Sequence, residues 1–229
     1  MTGSQWWVAN LWQQGQVVEL GSWIFWVIFS ICLHELAHGF AAIWEGDDTP
    51  RRTGHMTWNP MVHMGGFSLI AFLLMGFAWG LMPVNPYNFR HQRWGDAIVA
   101  AAGPLVNLIL AILLLTGVGV WDALMVTEAG TWQDWVGTFL YTGGWLNLIL
   151  LAFNLLPAPP LDGSRILASC SSGYARLMMN PQVQSVSLIA VLMIFWMTPI
   201  GGMFMDGISA GAKGWAGIVN GLVSSISGQ

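Results

Sequence analysis

The chain of 229 residues is 55% hydrophobic and 8% charged, with a mean hydropathy of +0.60. An ordinary soluble domain carries roughly 25% charged residues, so this composition excludes a water-facing surface all round and reads as an integral membrane protein. A net charge of −4 with seven Lys and Arg excludes the basic stripe that nucleic acid requires, and Cys32 and Cys170, in different segments and without metal or redox spacing, exclude a disulfide framework.

Residues 1–20 mix Trp6, Trp7 and Trp12 with glutamines, which suits a segment lying at headgroup depth. No basic region precedes the first apolar run, so no cleaved secretory signal is expected. Four long apolar runs follow, at about 21–44, 97–120, 137–157 and 186–205, and a weaker fifth at 65–83. The tail from 206, rich in Gly and Ser, reads as a short interfacial helix or a loop. The fold class expected is an all-α polytopic membrane protein, a bundle of four to six transmembrane helices. It forms a single domain over 1–229, with its core at 21–165 and a C-terminal helix at 186–205.

Loop charges orient these runs, because Lys and Arg in short loops favour the cytoplasm. The 121–136 loop carries Asp122, Glu128 and Asp134 without a base and is placed outside; 158–185 carries Arg165 and Arg176 and is placed inside. Arg90 and Arg93 put the start of the 97–120 run inside as well. Arg51 and Arg52 also ask for the inside, which leaves one crossing too many if 65–83 spans. Gly65, Gly66, Gly76 and Gly80 within that run, with Pro83 and Pro86 after it, favour a segment that enters and returns; if it spans, one arginine pair lies outside.

The first long run contains His34-Glu35-Leu36-Ala37-His38. Residues four apart share a helical face, so two imidazoles can hold one zinc while Glu35 reaches a water beside it. Ionisable groups in an apolar helix are costly to insert and are functional by default. A catalytic zinc needs a third protein ligand. Glu45, Asp47 and Asp48 follow the helix in a polar loop, Asp122, Glu128 and Asp134 are outside, and Asp96 opens a segment. Asp162 remains, in Asn154-Leu-Leu-Pro-Ala-Pro-Pro-Leu-Asp-Gly163, where three prolines end the helix and leave irregular backbone able to line a polar cavity. His38 and Asp162 both lie toward the inner ends of their helices, so the site is expected near the cytoplasmic face.

With these residues in view, the chain resembles the site-2 protease family, intramembrane zinc proteases of peptidase family M50. The resemblance rests on the HExxH helix at 34–38, Ala102-Gly103-Pro104-Leu105-Val106-Asn107, and the Asn-x-x-Pro-x-Pro-x-Leu-Asp-Gly stretch at 154–163, in the family's order over about 34–165. Pro160 is an addition to that pattern, and Met82 to Arg90 is similar to small bacterial members without PDZ or CBS domains. The resemblance implies one Zn2+ per chain and hydrolysis of peptide bonds within or near transmembrane segments. It also places Asn107 and Asn154 close to the substrate or the reacting oxygen. Either asparagine could donate to a developing oxyanion or simply bond helix to helix. Glu35 would be the general base. The substrates implied are membrane proteins such as stress-response regulators, or leftover signal peptides, with a regulatory partner or homo-oligomer supplying control. The location implied is the bacterial cytoplasmic (inner) membrane.

A substrate helix must unwind to expose its carbonyl, and residues 49–63 could pair with it as short edge strands. His63, between Asn59-Pro60 and Gly65-Gly66, is a candidate gate or fourth zinc ligand, whereas His91 reads as a solvated loop residue. Two rival readings stand beside the protease. One is a zinc-binding membrane carrier or scaffold that does not cut, and the other is a metalloprotease with a water-exposed site using Glu128.

Overall fold

A computed structural model describes residues 7–228 except 93, 127 and 179, and not the side chains of 185, 188 and 196; Trp6 and Arg93 therefore lie outside the described residues. The architecture is all-α, with no strand among the described residues. A short helix α1 (Trp7–Gln13) leads into α2 (Val17–Trp44), α5 spans Gly95–Leu124 and α6 Trp132–Asn154. These last three are long and apolar enough to cross a membrane. Helix α5 is central, packing against α2, α6 and the C-terminal helix. The buried cluster of Trp26, Val27, Ile31, Met64, Phe72 and Leu146 fills the space between α2, α6 and the 60–75 helix. Trp26 also donates its indole N–H to the Phe139 carbonyl at 2.8 Å, so its polar atom is satisfied inside the apolar layer.

The weaker fifth run enters and returns. Helix α3 (Thr49–Arg52) precedes it, and its first half lies in α4 (Pro60–Met75), which is broken at Gly65 and 16 residues long. At 1.5 Å per residue that is roughly 24 Å, short of a hydrocarbon core of roughly 30 Å. Gly76 closes α4 with φ 74° and turns the chain back along it. Ser68 Oγ donates to the Trp79 carbonyl at 2.7 Å and accepts from the Trp79 N–H at 2.9 Å, and the Leu81 N–H donates to the His63 carbonyl at 2.9 Å. The returning strap thereby satisfies backbone groups that lipid could not.

The edge strands expected at 49–63 do not form, since α3 and the start of α4 occupy that stretch. Pro50 and Pro60 set a helical φ at the first positions of these helices and have no N–H to give to a ladder. The run 186–205 is not one helix either. α7 (Asp162–Cys170) and α8 (Ser172–Met178) are followed by α9 (Pro181–Met197), and Thr198 then caps α10 (Pro199–Ser227). The bent pair α8 and α9 counts as a fourth crossing only if it is one broken span. The tail read as a short interfacial helix or loop is instead the 29-residue α10, lying along α5. Its small Ala212 and Ala216 are buried, and Trp215 donates to Thr116 Oγ1 at 3.0 Å.

Beyond the end of α2, two acids assigned to a solvated loop are fully buried. Glu45 and Asp47 anchor the strap on its way to α5. Asp47 accepts from the Asn85 N–H at 2.7 Å, the Asn88 amide at 2.9 Å and the Thr49 N–H at 3.1 Å. Glu45 accepts from the His91 N–H and the His91 ring at 3.0 Å each, so His91 is a partner in the anchor. Burial pushes the Asp47 carboxyl up, but the donors from Asn85, Thr49 and Asn88 outweigh it and hold the group below its ordinary 3.8. A lowered carboxylate contributes stability above its ordinary value and loses it as pH falls through the folded one. Asp47→Ala, which strands these donors, is expected to cost about 1–3 kcal/mol. Thermal unfolding in detergent checks this, and the gap between wild type and variant should narrow on acidification below 3.8.

Candidate metal centre

His34 and His38 lie one turn apart on α2, and Asp162 opens α7 just past the proline-rich end of α6; all three are buried. The fold brings them together from 128 residues apart in sequence. His34 Nε2 stands 3.0 Å from His38 Nε2 and 3.1 Å from Asp162 Oδ2, and His38 Nε2 stands 3.3 Å from the same oxygen. Ligand atoms about 2.0–2.2 Å from a tetrahedral zinc are separated by roughly 3.3–3.6 Å, so the triangle needs to open by only a few tenths of an ångström to hold the ion.

Each imidazole is oriented through its other nitrogen by α5. The His38 Nδ1–H donates to the Val99 carbonyl at 2.7 Å, and the His34 Nδ1–H donates to Asn107 Oδ1. That leaves both Nε2 lone pairs facing the shared point, the tautomer that metal binding requires. Asn107 donates to Asn147 Oδ1 at 2.7 Å, and Asn147 donates to Ser30 Oγ and to the Gly143 carbonyl, both at 2.9 Å. The whole chain of amides is fully buried, linking α5, α6 and α2.

The candidates beyond the triad each have a polar partner. Asn107 touches the Nδ1 edge of His34, opposite the edge that faces Asp162. Asn154, half-buried, returns its amide to the Leu150 carbonyl of its own helix at 2.9 Å. His63 is buried with Nε2 2.6 Å from the Thr57 carbonyl, and it is not in the group of possible metal ligands among the described residues. Asn147 had no sequence signal, because a lone asparagine in an apolar run also reads as a helix-to-helix bond.

Two glycines form the walls. A Cβ at Gly103 of α5 would stand 2.5 Å from His34 Nε2 and 2.6 Å from His38 Nε2. A Cβ at Gly80 of the strap would stand 2.5 Å from Glu35 Oε1. Only glycine lets these backbones approach so closely. The centre thus gathers three possible ligand atoms, with the Glu35 carboxylate next to the first of them along α2, and all four side chains are buried.

Comparison with known proteins agrees with this chemistry. The family described as Peptidase family M50 matches residues 22–129 and 118–198. The chain is 38% identical over 179 residues to "Putative zinc metalloprotease YwhC" of Bacillus subtilis, covering 76% of this chain and 80% of that one. It is 31% identical over 186 residues to "Putative zinc metalloprotease Rip2" of Mycolicibacterium smegmatis, covering 78% and 66% respectively. With "Zinc metalloprotease MJ0392" of Methanocaldococcus jannaschii it shares 28% identity over 181 residues, covering 75% and 43%. No solved structure matches the chain.

Gly103→Ala is expected to weaken zinc binding by at least about 10- to 100-fold, the range typical for disturbing the support of a metal ligand. Zinc content of the purified chain checks this. Gly117→Ala, on the same helix but meeting only Leu140 at 3.7 Å, should keep its zinc.

Proposed function

The chain belongs to peptidase family M50, and from that premise we propose that it is a zinc metalloendopeptidase cutting peptide bonds within or near transmembrane segments of other membrane proteins. The observation that carries the proposal is the buried group formed by His34 and His38, inside a spanning helix with Glu35 between them, and Asp162, brought to them by α7. Zinc bound there supplies a Lewis acid that acidifies water and polarises a peptide carbonyl. Glu35 is the proton acceptor, one position along the helix from the first imidazole, and passes the proton to the leaving nitrogen. Asn107 and the Val99 carbonyl hold the imidazoles in the required tautomer. Gly80 presses the strap against Glu35, which excludes water from that side of the carboxylate.

The substrates that suit this site are membrane-protein segments or signal peptides delivered from the bilayer, with a regulatory partner or second copy supplying control. The charges support a site toward the cytoplasmic side of the inner membrane. Arg51, Arg52, Arg90 and Arg165 lie at the end of the bundle that carries the triad. Asp122 and Asp134 lie at the other end, and so does Glu128, between α5 and α6, which weighs against the water-exposed alternative in which Glu128 is a ligand.

Glu35→Gln is expected to retain zinc while cleavage of a co-expressed membrane substrate falls by about 10²- to 10⁴-fold, the usual worth of a general base. Undiminished cleavage with zinc in place would mean that this site does not carry the cleavage, leaving the carrier or scaffold reading. Asp162→Ala should lose zinc and Glu128→Ala keep it; the reverse pattern, read by metal content, would move the site.

A further inference from the structure

We infer that Asp96 and Arg165 form a relay that holds Asp162 with one oxygen committed to the metal, which makes both of them positioning residues. The inference rests on the triad being the zinc site. The two oxygens of Asp162 have different surroundings. Oδ2 lies 3.1 Å from His34 Nε2 and 3.3 Å from His38 Nε2, whereas Oδ1 lies 3.8 Å from Arg165 Nη1. Arg165, one turn on along α7, is itself fixed by Asp96, whose Oδ1 accepts from Arg165 Nη2 at 2.6 Å and from Nε at 3.2 Å. Asp96 sits in the first turn of α5, the helix that also supplies the Val99 carbonyl, Gly103 and Asn107. One helix therefore orients all three ligands: two through their Nδ1 atoms and the third through a guanidinium.

A carboxylate can turn about its Cβ–Cγ bond, swap its oxygens or bind through both, and a fixed cation 3.8 Å from one oxygen, close enough to attract though beyond hydrogen-bond reach, biases which oxygen turns away toward the metal. Asp162 needs such a support more than the histidines do, because it stands at the start of a short helix after irregular backbone rather than inside a spanning one. The alternative, a plain tie between α5 and α7, would show in stability. Yet the side chains of Arg165 and Asp96 are 28% and 31% exposed. They line a cavity of about 470 Å³ together with Pro159, Pro160, Ser164 and Gln184. An ion pair reached by water contributes little to stability, while its geometry can still direct a neighbour. Arginine suits this place because Nη2 and Nε grip Asp96 while Nη1 carries positive charge toward Asp162, an orientation that a lysine ammonium, a point charge on a flexible stem, does not fix.

The test uses the purified full chain in detergent. Zinc affinity is measured by competition with a chelator, the visible absorption band of the cobalt-substituted protein reports coordination geometry, and the melting temperature of the metal-free protein reports the fold. Asp96→Asn and Arg165→Met are each expected to weaken zinc by about 10- to 100-fold and to alter the cobalt band while the metal-free melting temperature stays at the wild-type value. Arg165→Lys should fall between them and wild type, and it keeps the inference testable if Arg165→Met fails to fold. Wild-type affinity and an unchanged cobalt band in the variants would overturn the inference, and so would losses of zinc that track losses of metal-free stability. His34→Ala separates this from failure of the metal site itself: if wild type holds zinc no better than His34→Ala, the triad reading fails first.

Discussion

The contact between α2 and α5 is the constraint on which the rest of the structure depends. Two imidazoles inside an apolar bundle need partners for both ring nitrogens, and lipid offers none. Helix α5 supplies one partner to each, the Val99 carbonyl and the Asn107 amide, and so turns the remaining two nitrogens toward a common point. The helix can do this only because Gly103 lets its backbone lie against the rings. Polar satisfaction and ligand geometry are therefore met by the same contacts.

Around that contact, the chain solves the problem of bringing irregular backbone to membrane depth. The strap that returns from Gly76 lies against α4 through Ser68 and His63 and against α2 through Gly80 and Glu35. Its far end is anchored by Glu45 and Asp47, two carboxylates removed from water entirely and paid for by donors from Asn85, Asn88 and His91. A strap held at both ends keeps its position over Glu35 without a long apolar side chain between them. The anchor and the metal centre thus share α2 as their common frame.

The legible parts of the chemistry were those carried by local spacing. His34, Glu35 and His38 share a helical face whatever the rest of the chain does, and Asp162 was the one acid left at the right depth after a helix-ending run of prolines. Other residues misled because their signal depended on neighbours far away in sequence. Glu45 and Asp47 looked like loop acids, since nothing nearby shows that the 85–91 segment returns to cap them. For Asn107 both a reacting role and a bond between helices stood open, because which edge of His34 it meets depends on how α5 rotates against α2. The Gly-rich tail scored as weakly apolar for the same reason that it packs well: small residues add little hydropathy yet permit the close approach of α10 to α5.

The sequence by itself determined that the chain is membrane-embedded and helical, and composition, loop charges and motif spacing pointed to a re-entrant 65–83 and to His34, His38 and Asp162 as the group that could hold a metal. These are properties of individual segments: length against bilayer thickness, turn period, proline's missing donor and the cost of an unpaired charge. Only the tertiary structure decided which nitrogen of each histidine is free, that Asn147 and Ser30 extend the support behind His34, that Asp96 and Arg165 stand behind Asp162, and that residues 49–63 form no strand. Those depend on the rotation and separation of helices, which are set by where glycines allow contact and where buried polar atoms find partners, and no local pattern encodes them.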